Sequence, residues 1–123
     1  MKICIAGGRD FANYDVLVKV VDHVLLEIQE PVIIISGKAK GADGLGERYA
    51  KEHDLEVLLY PADWKKHGKG AGPIRNAQMA EAADMLIAFW DGSSRGTKNM
   101  IGQMQKQGKP CNVFNYNGEF VQI

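Results

Sequence analysis

The chain lacks several features that mark large classes of protein. Its 123 residues have no excess of charge, because fifteen basic residues balance fifteen acidic ones. This balance excludes binding of nucleic acid mainly through bulk charge and disfavours nucleic acid as a partner. No apolar run approaches the roughly 18 residues that span a membrane, and the first ten residues are too polar for a signal peptide. We therefore expect a cytoplasmic protein that does not contact membranes.

Side chains that bind metal ions are also scarce. Cys4 and Cys111 lie in apolar runs, where cysteine behaves as a small core residue. The three histidines, His23, His53 and His67, are scattered, and no Cys-x-x-Cys or His–Cys cluster occurs. The sequence therefore predicts neither a metal site nor a bound cofactor.

Patterns typical of strands and helices alternate along the chain. Residues 32–35 are apolar and β-branched without alternation, which is typical of a strand covered on both faces. Asn13 is placed to cap a helix whose apolar residues share one face. Five such strands with intervening helices predict a single domain over residues 1–123, a three-layer Rossmann-like α/β fold with a mostly parallel five-stranded sheet. The Asn117-Gly118 turn predicts that residues 120–123 return as an extra edge strand.

Glycine is abundant, with 14 residues, and its distribution is uneven. Glycine, serine, aspartate and basic residues gather in the connections that leave the strands, at residues 7–10, 36–43, 61–73 and 91–97. The carboxyl ends of parallel strands share one edge, where open α/β sheets bind their ligands. Glycine admits an oxyanion close to backbone N–H groups, and a helix N-terminus attracts it. We therefore predict a phosphate-binding edge suited to a nucleotide or a sugar phosphate.

Residues 61–72 are predicted to form a long polar loop beside this edge. In a functional interpretation, Trp64 offers a stacking face, and Arg75 nearby offers a guanidinium that suits phosphate. The alternative is a solvated loop whose tryptophan packs on the domain. Neither a GxGxxG motif, nor a P-loop, nor a GxSxG elbow is present, which disfavours ordinary dinucleotide dehydrogenases, P-loop NTPases and α/β-hydrolases.

The residues expected to bind the ligand share polar or glycine character and a place at the carboxyl edge of the sheet. They are Gly8, Arg9, Asp10, Ser36, Gly37, Gly41, Asp43, Asp63, Trp64, His67, Gly68, Arg75, Asn76, Gly92, Arg95, Gly96 and Thr97.

The order of the motifs resembles that of a known family. The chain is similar to the small YspA-type members of the SLOG superfamily, found in bacteria and their phages, over residues 2–114. The similarity is carried by Gly7-Gly8-Arg9-Asp10-Phe11, Gly41-Ala42-Asp43, Gly72-Pro73-Ile74-Arg75-Asn76 and Arg95-Gly96-Thr97. It implies a Rossmann-like fold, a nucleotide-type ligand and self-association into a homo-oligomer, but no single reaction.

The chain departs from the enzymes of this superfamily just after its Arg95-Gly96-Thr97 motif. LOG-type phosphoribohydrolases carry glutamates shortly after the threonine of their glycine-rich motif, whereas Lys98, Asn99 and Met100 follow Thr97 here. Arg75 is similar to an arginine of those enzymes. Asp10, Asp43, Asp63 and Asp91, on other loops, are candidates to replace the missing acid, and we take Asp43 as the catalytic candidate.

These observations lead to three hypotheses about function. We expect a binding module that senses or sequesters a nucleotide or a molecule derived from NAD or ADP-ribose. The first alternative is a hydrolase of nucleotide N-glycosidic bonds that uses Arg75 and Asp43 as catalytic residues. The second alternative is a binder of single-stranded nucleic acid, since residues 36–43 are similar to a DprA-like pattern.

Overall fold

Strands and helices alternate along the computed structural model, which describes every residue from Met1 to Ile123. The strands are β1 (Lys2–Gly7), β2 (Ile33–Ser36), β3 (Glu56–Leu59), β4 (Met85–Phe89) and β5 (Cys111–Phe114). The helices are α1 (Tyr14–Leu25), α2 (Ala42–Glu52), the single-turn α3 (Trp64–His67), α4 (Ala71–Ala82) and α5 (Arg95–Lys106). A 3₁₀ turn, Gly68–Gly70, joins α3 to α4. None of the helices combines the length and the hydropathy that crossing a membrane demands.

All five strands are parallel, in the order β3-β2-β1-β4-β5. The chain moves outward from β1 to β3 and then crosses back to place β4 on the other side of β1. A crevice therefore opens between the carboxyl ends of β1 and β4, the position where doubly wound sheets bind ligands. The predicted Rossmann-like fold is confirmed.

The two faces of the sheet carry separate apolar cores, as a three-layer fold requires. On β1, Ile3 and Ile5 point to the face covered by α1 and α2, whereas Cys4 and Ala6 point to the face covered by α4 and α5. This alternation follows from the two-residue period of a strand. Because both faces are covered, the inner strands are apolar throughout, which is why residues 32–35 show no alternation.

The first helix begins where the sequence predicts. The side-chain oxygen of Asn13 accepts a hydrogen bond from the backbone N–H of Val16 at 3.2 Å, which satisfies one of the unpaired donors of the first turn. Leu17, Val20 and Val21 of this helix are buried against the sheet.

The prediction of a long loop over residues 61–72 is wrong. The Asp63 carboxylate accepts a hydrogen bond from Lys66 N–H at 3.1 Å and so caps α3. Gly68, with φ of +56°, ends this turn in a conformation that glycine adopts readily. Trp64 lies close to Gly72, where an added Cβ would be 3.6 Å from the indole. The segment is therefore helical and continues almost directly into α4.

The carboxyl terminus turns back as predicted but pairs less extensively. Gly118, with φ of +83°, forms the turn after Asn117. Phe120 makes one isolated antiparallel bridge to Phe114, and Val121 N–H donates to the Val113 carbonyl at 2.8 Å. Pairing stops there, so the returning chain adds a bridge to the edge of β5 rather than a sixth strand.

Candidate functional site

A cavity of about 510 Å³ lies at the carboxyl ends of β1 and β4. It combines the loop after β1, the first turn of α2, the α3–α4 segment and the first turns of α5. Many of the residues expected from the sequence meet there: Gly8, Arg9, Asp10, Asp43, Trp64, Arg75, Asn76, Arg95, Gly96 and Thr97. Its volume is within the range of small-molecule sites.

The amino terminus of α5 forms one wall of this cavity. Its N-cap is Ser94, whose side chain caps no backbone N–H group, and its first turn has no acidic residue. The Ser94 and Thr97 hydroxyl oxygens are 3.2 Å apart, and both residues line the cavity. The Trp90 indole N–H donates to the Ser94 carbonyl at 3.1 Å and fixes the start of the helix. The Asp91 carboxylate accepts hydrogen bonds from the N–H groups of Ser93 and Ser94 at 2.9 and 2.8 Å. The N–H groups of the first helical turn, which follow them, have no acceptor from a side chain.

Gly96 keeps this wall open. A Cβ added at Gly96 would meet no protein atom within 4 Å, although the residue lines the cavity. The space above its backbone is therefore available to a ligand atom. This is the property that the sequence argument assigned to the glycine-rich loops in general.

Three other glycines at this edge allow close packing between protein groups. A Cβ at Gly41, where φ is +80°, would lie 2.2 Å from the Gly8 carbonyl oxygen. A Cβ at Gly37 would lie 2.8 Å from both the Arg75 guanidinium and the Asp43 carboxylate. At Gly8, the Tyr116 hydroxyl already occupies the place of a Cβ. These glycines let protein groups approach one another, rather than admitting a ligand.

Asn76 joins α4 to α5 beneath the cavity. Its buried side-chain amide donates to the Gly96 carbonyl at 3.2 Å and to the Asn99 side-chain oxygen at 3.0 Å. Its own oxygen accepts from the Arg75 Nε at 3.0 Å. With these bonds its polar atoms are paired within the protein, so Asn76 holds the wall in place.

Arg75 both anchors a loop and faces the cavity. Its Nη1 donates to the Gly37 carbonyl oxygen and its Nε to Asn76, which leaves Nη2 without a hydrogen bond in the protein. No carboxylate lies within salt-bridge distance of its guanidinium. The unpaired side of this guanidinium is suited to an anionic ligand.

Asp43, in the first turn of α2, is the buried carboxyl group of the site. Burial raises its pKa from 3.8 to about 6, although the Ala39 N–H at 3.3 Å and the Arg75 charge act in the opposite direction. A carboxyl group that titrates near neutrality can hold or release a proton under ordinary conditions.

The remaining predicted residues lie outside the cavity lining. Ser36 is fully buried and donates its hydroxyl to Glu47 Oε2 at 2.7 Å, so it ties β2 to α2. Asp63 caps α3, and Gly68 ends it with His67 just before. Gly92, with φ of +87°, occupies a turn and would meet nothing with an added Cβ. No group of three or more His, Cys, Asp or Glu side chains is arranged to hold a metal ion.

The sequence argument missed several residues of the site. Ser94 and Asn99 line the cavity and directly neighbour predicted residues on α5. The helical pattern could have indicated both, because residues three or four positions apart share a face of a helix: Ser94 lies three positions before Thr97, and Asn99 four after Arg95. Tyr116 contacts the site from 106 positions away through a hydrogen bond to Asp10 at 2.5 Å. No local pattern indicates so distant a contact.

The fold and the position of the cavity define a Rossmann-like domain with a cavity at the switch point of its sheet. The chain belongs to the YspA, cpYpsA-related SLOG family, whose model matches residues 1–67. It is 32% identical over 115 residues to the Gene 61 protein of Mycobacterium phage D29, an alignment that covers 89% of this chain and 92% of the phage protein.

Among solved structures, the chain is similar to DNA processing protein A (DprA) from Streptococcus pneumoniae. The TM-score is 0.68 with 20% sequence identity, and the match covers 93% of this chain. It covers 49% of the DprA chain, so the protein spans about half of that structure. At this identity the likeness shows a shared fold.

Proposed function

We propose that this protein binds a nucleotide, or a molecule derived from NAD or ADP-ribose, in the cavity at the ends of β1 and β4, and that it acts in sensing or sequestration. The observation that carries the proposal is the open amino terminus of α5, where Gly96 leaves space above unpaired backbone N–H groups. Membership of the SLOG family supports a nucleotide-derived ligand in general.

The phosphate of the ligand binds at α5 in this proposal. Arg9, Arg75 and Arg95 line the cavity, and none of them forms an ion pair with a carboxylate within 4.0 Å. Positive charge without a protein partner attracts an anion, and guanidinium groups bind phosphate oxygens in pairs. Trp64, half-exposed on the cavity wall, offers a face for a base.

A hydrolase is the second candidate, and Asp43 favours it. This buried carboxyl group lines the cavity beside Arg75, and its pKa of about 6 would allow it to act as a general acid or base. Hydrolysis of an N-glycosidic bond would then use Asp43 to assist the leaving base or the attacking water, while Arg75 holds the phosphate.

A ligand panel separates the two candidates. The purified protein is incubated with nucleoside 5′-monophosphates, NAD and cyclic ADP-ribose, and each sample is divided between thermal melting and chromatography. A binder raises the melting temperature and returns the ligand intact. A hydrolase releases free base or ribose phosphate, and Asp43→Asn abolishes that release. If no ligand of the panel raises the melting temperature and none is turned over, both candidates are contradicted.

Two variants on α5 test the position of the phosphate. Arg95→Gln removes an exposed guanidinium of the cavity and should weaken a phosphate-containing ligand about tenfold. Lys106→Gln removes an exposed positive charge from the last turn of the same helix, outside the cavity, and serves as the matched control. Equal effects of the two variants would indicate bulk attraction and would rule out a phosphate held at the start of α5.

A further inference from the structure

Asp10 is the acidic side chain of the cavity that lies on the loop after β1. Its Oδ1 accepts a hydrogen bond from the Tyr116 hydroxyl at 2.5 Å. Its Oδ2 has no hydrogen-bond partner in the protein, and no basic side chain lies within 4.0 Å of the carboxylate. One acceptor oxygen of Asp10 is therefore free at the cavity.

Tyr116 is fixed in place independently of Asp10. Its ring packs against Phe11 with a centroid distance of 5.1 Å, and Phe11 stacks on Phe89 at 4.5 Å. Its hydroxyl lies over Gly8, at a point only 1.8 Å from where a Cβ would be. Gly8 thus provides the space that lets a residue from the carboxyl terminus reach the loop after β1. The hydroxyl is a donor at physiological pH, because burial and the hydrogen bond to Asp10 raise the pKa of Tyr116.

The chemistry of this arrangement selects what Asp10 can bind. A carboxylate repels phosphate, so the phosphate end of a ligand belongs at α5 and not at the β1 loop. A free carboxylate oxygen accepts hydrogen bonds, and a neutral ligand group that faces it must therefore be a donor. In a nucleotide, the 2′- and 3′-hydroxyls are donors on the same ribose that carries the 5′-phosphate.

On this basis, and resting on the proposed function, we propose that Asp10 binds the ribose 2′,3′-hydroxyls of the ligand and that Tyr116 is the positioning residue that holds Asp10 for this contact. The ligand class is accordingly a phosphate ester with an unsubstituted vicinal diol. Tyr116 acts through Asp10 and does not touch the phosphate.

The test measures affinities for three kinds of probe by calorimetry: inorganic phosphate, the four common ribonucleoside 5′-monophosphates, and their 2′,3′-dideoxy counterparts. The expected result is that at least one ribonucleotide binds about tenfold tighter than its dideoxy counterpart, as loss of a hydrogen bond to a charged group implies. Asp10→Asn and Tyr116→Phe should each reduce this preference several-fold without weakening the binding of inorganic phosphate.

Tyr14→Phe is the matched control. Tyr14 also donates its hydroxyl to a carboxylate, Glu52 Oε1, at 2.7 Å, but it lies outside the cavity. This variant should keep the full preference for the diol. Melting temperatures of all variants separate a loss of folding from a loss of the contact, and exposed Asp10 offers a substitution that does not disturb the core.

The other possible outcomes of this experiment contradict the role of Asp10, the role of Tyr116 or the proposed function. Equal binding of ribo- and dideoxynucleotides, or binding of phosphate without any nucleotide, overturns the role of Asp10 and leaves the phosphate site intact. A Tyr116→Phe variant that weakens phosphate and nucleotides by the same factor shows a merely structural role for Tyr116. Failure of every probe to bind, together with failure of NAD and cyclic ADP-ribose in the ligand panel, contradicts the proposed function itself.

Discussion

Two helices, α2 and α5, begin at the same edge of the sheet after glycine-containing loops, yet their amino termini are used differently. At α2 the Ala42 N–H donates to the Gly8 carbonyl at 3.3 Å, and the Asp43 carboxyl group occupies the first turn. At α5 the Asp91 carboxylate accepts only from the N–H groups of Ser93 and Ser94, which precede the helix, and the first turn itself has no acidic residue. A Cβ at Gly96 in that turn would meet no protein atom within 4 Å. One terminus is closed by the protein, and the other is open.

The comparison shows that glycine at a helix start has two separate uses. Gly41 allows the backbone of one loop to touch that of another, whereas Gly96 allows a foreign group to approach. A negative side chain at α2 already satisfies the partial positive charge of that helix. The anion site of the fold is therefore expected at α5 alone, and substitutions at the two helices should have different kinds of effect.

The largest effect is expected for Gly41→Ala. The new Cβ would collide with the Gly8 and Arg9 backbone, at a backbone conformation of φ +80° and ψ −128° that only glycine adopts readily. We expect a loss of roughly 4 kcal/mol in the free energy of unfolding, measured by urea denaturation. Gly44→Ala, where a Cβ meets nothing, should be neutral or slightly stabilising. Similar stabilities of the two variants would contradict the statement that Gly41 is needed for the close contact between the start of α2 and the loop after β1.

The second prediction concerns pH. Because the pKa of Asp43 is raised from 3.8 in the unfolded chain to about 6 in the folded protein, the folded state retains a proton that the unfolded state releases. The contribution to stability is complete below pH 3.8 and is lost as the pH rises through about 6, with a total of about 3 kcal/mol. Urea denaturation from pH 4 to 8 should reveal this slope in the native protein and a flatter profile in Asp43→Asn. An unchanged slope would show that another group titrates.

The smallest effect on stability, but a specific effect on binding, is expected for Gly96→Val. Gly96 lines the cavity where phosphate is proposed to bind, and a Cβ at this position would meet no protein atom within 4 Å. Phosphate-containing ligands should bind at least about tenfold more weakly, while the melting temperature changes little. Gly102→Val, on the same helix with equally open space, is the control. Normal binding by Gly96→Val would place the ligand elsewhere.

Much of the architecture follows from local patterns. The uninterrupted β-branched strand, the Asn13 cap and the Asn117-Gly118 turn each depend on neighbouring residues, and each is present. The parallel orientation of the strands follows from the alternation of strands and helices. The position of polar residues in the connections that leave the strands was sufficient to predict that Arg75, Asp43 and Gly96 lie at one edge of the sheet, and all three line one cavity.

The rest depends on contacts that local patterns do not encode. Helix α3 is a single turn, too short to show a period, and its start depends on the Asp63 cap. Whether a glycine faces a protein backbone or open space is decided by the partner loop, as Gly41 and Gly96 illustrate. Tyr116 bonds to Asp10 across 106 positions of the chain, a contact that the tertiary fold alone creates. The expected homo-oligomer is a property of surfaces between chains, and it stays a prediction that sedimentation would test.

The hydrogen bond from the Trp90 indole to the Ser94 carbonyl has a practical consequence. Of the two tryptophans of the chain, Trp64 lies on the cavity wall, and Trp90 is bonded to Ser94, which lines the cavity at the start of α5. We therefore expect intrinsic fluorescence to report occupancy without an attached dye. A Trp64→Phe protein would isolate the emission of Trp90 and reveal whether a titrated molecule reaches the helix end or stops at the outer rim.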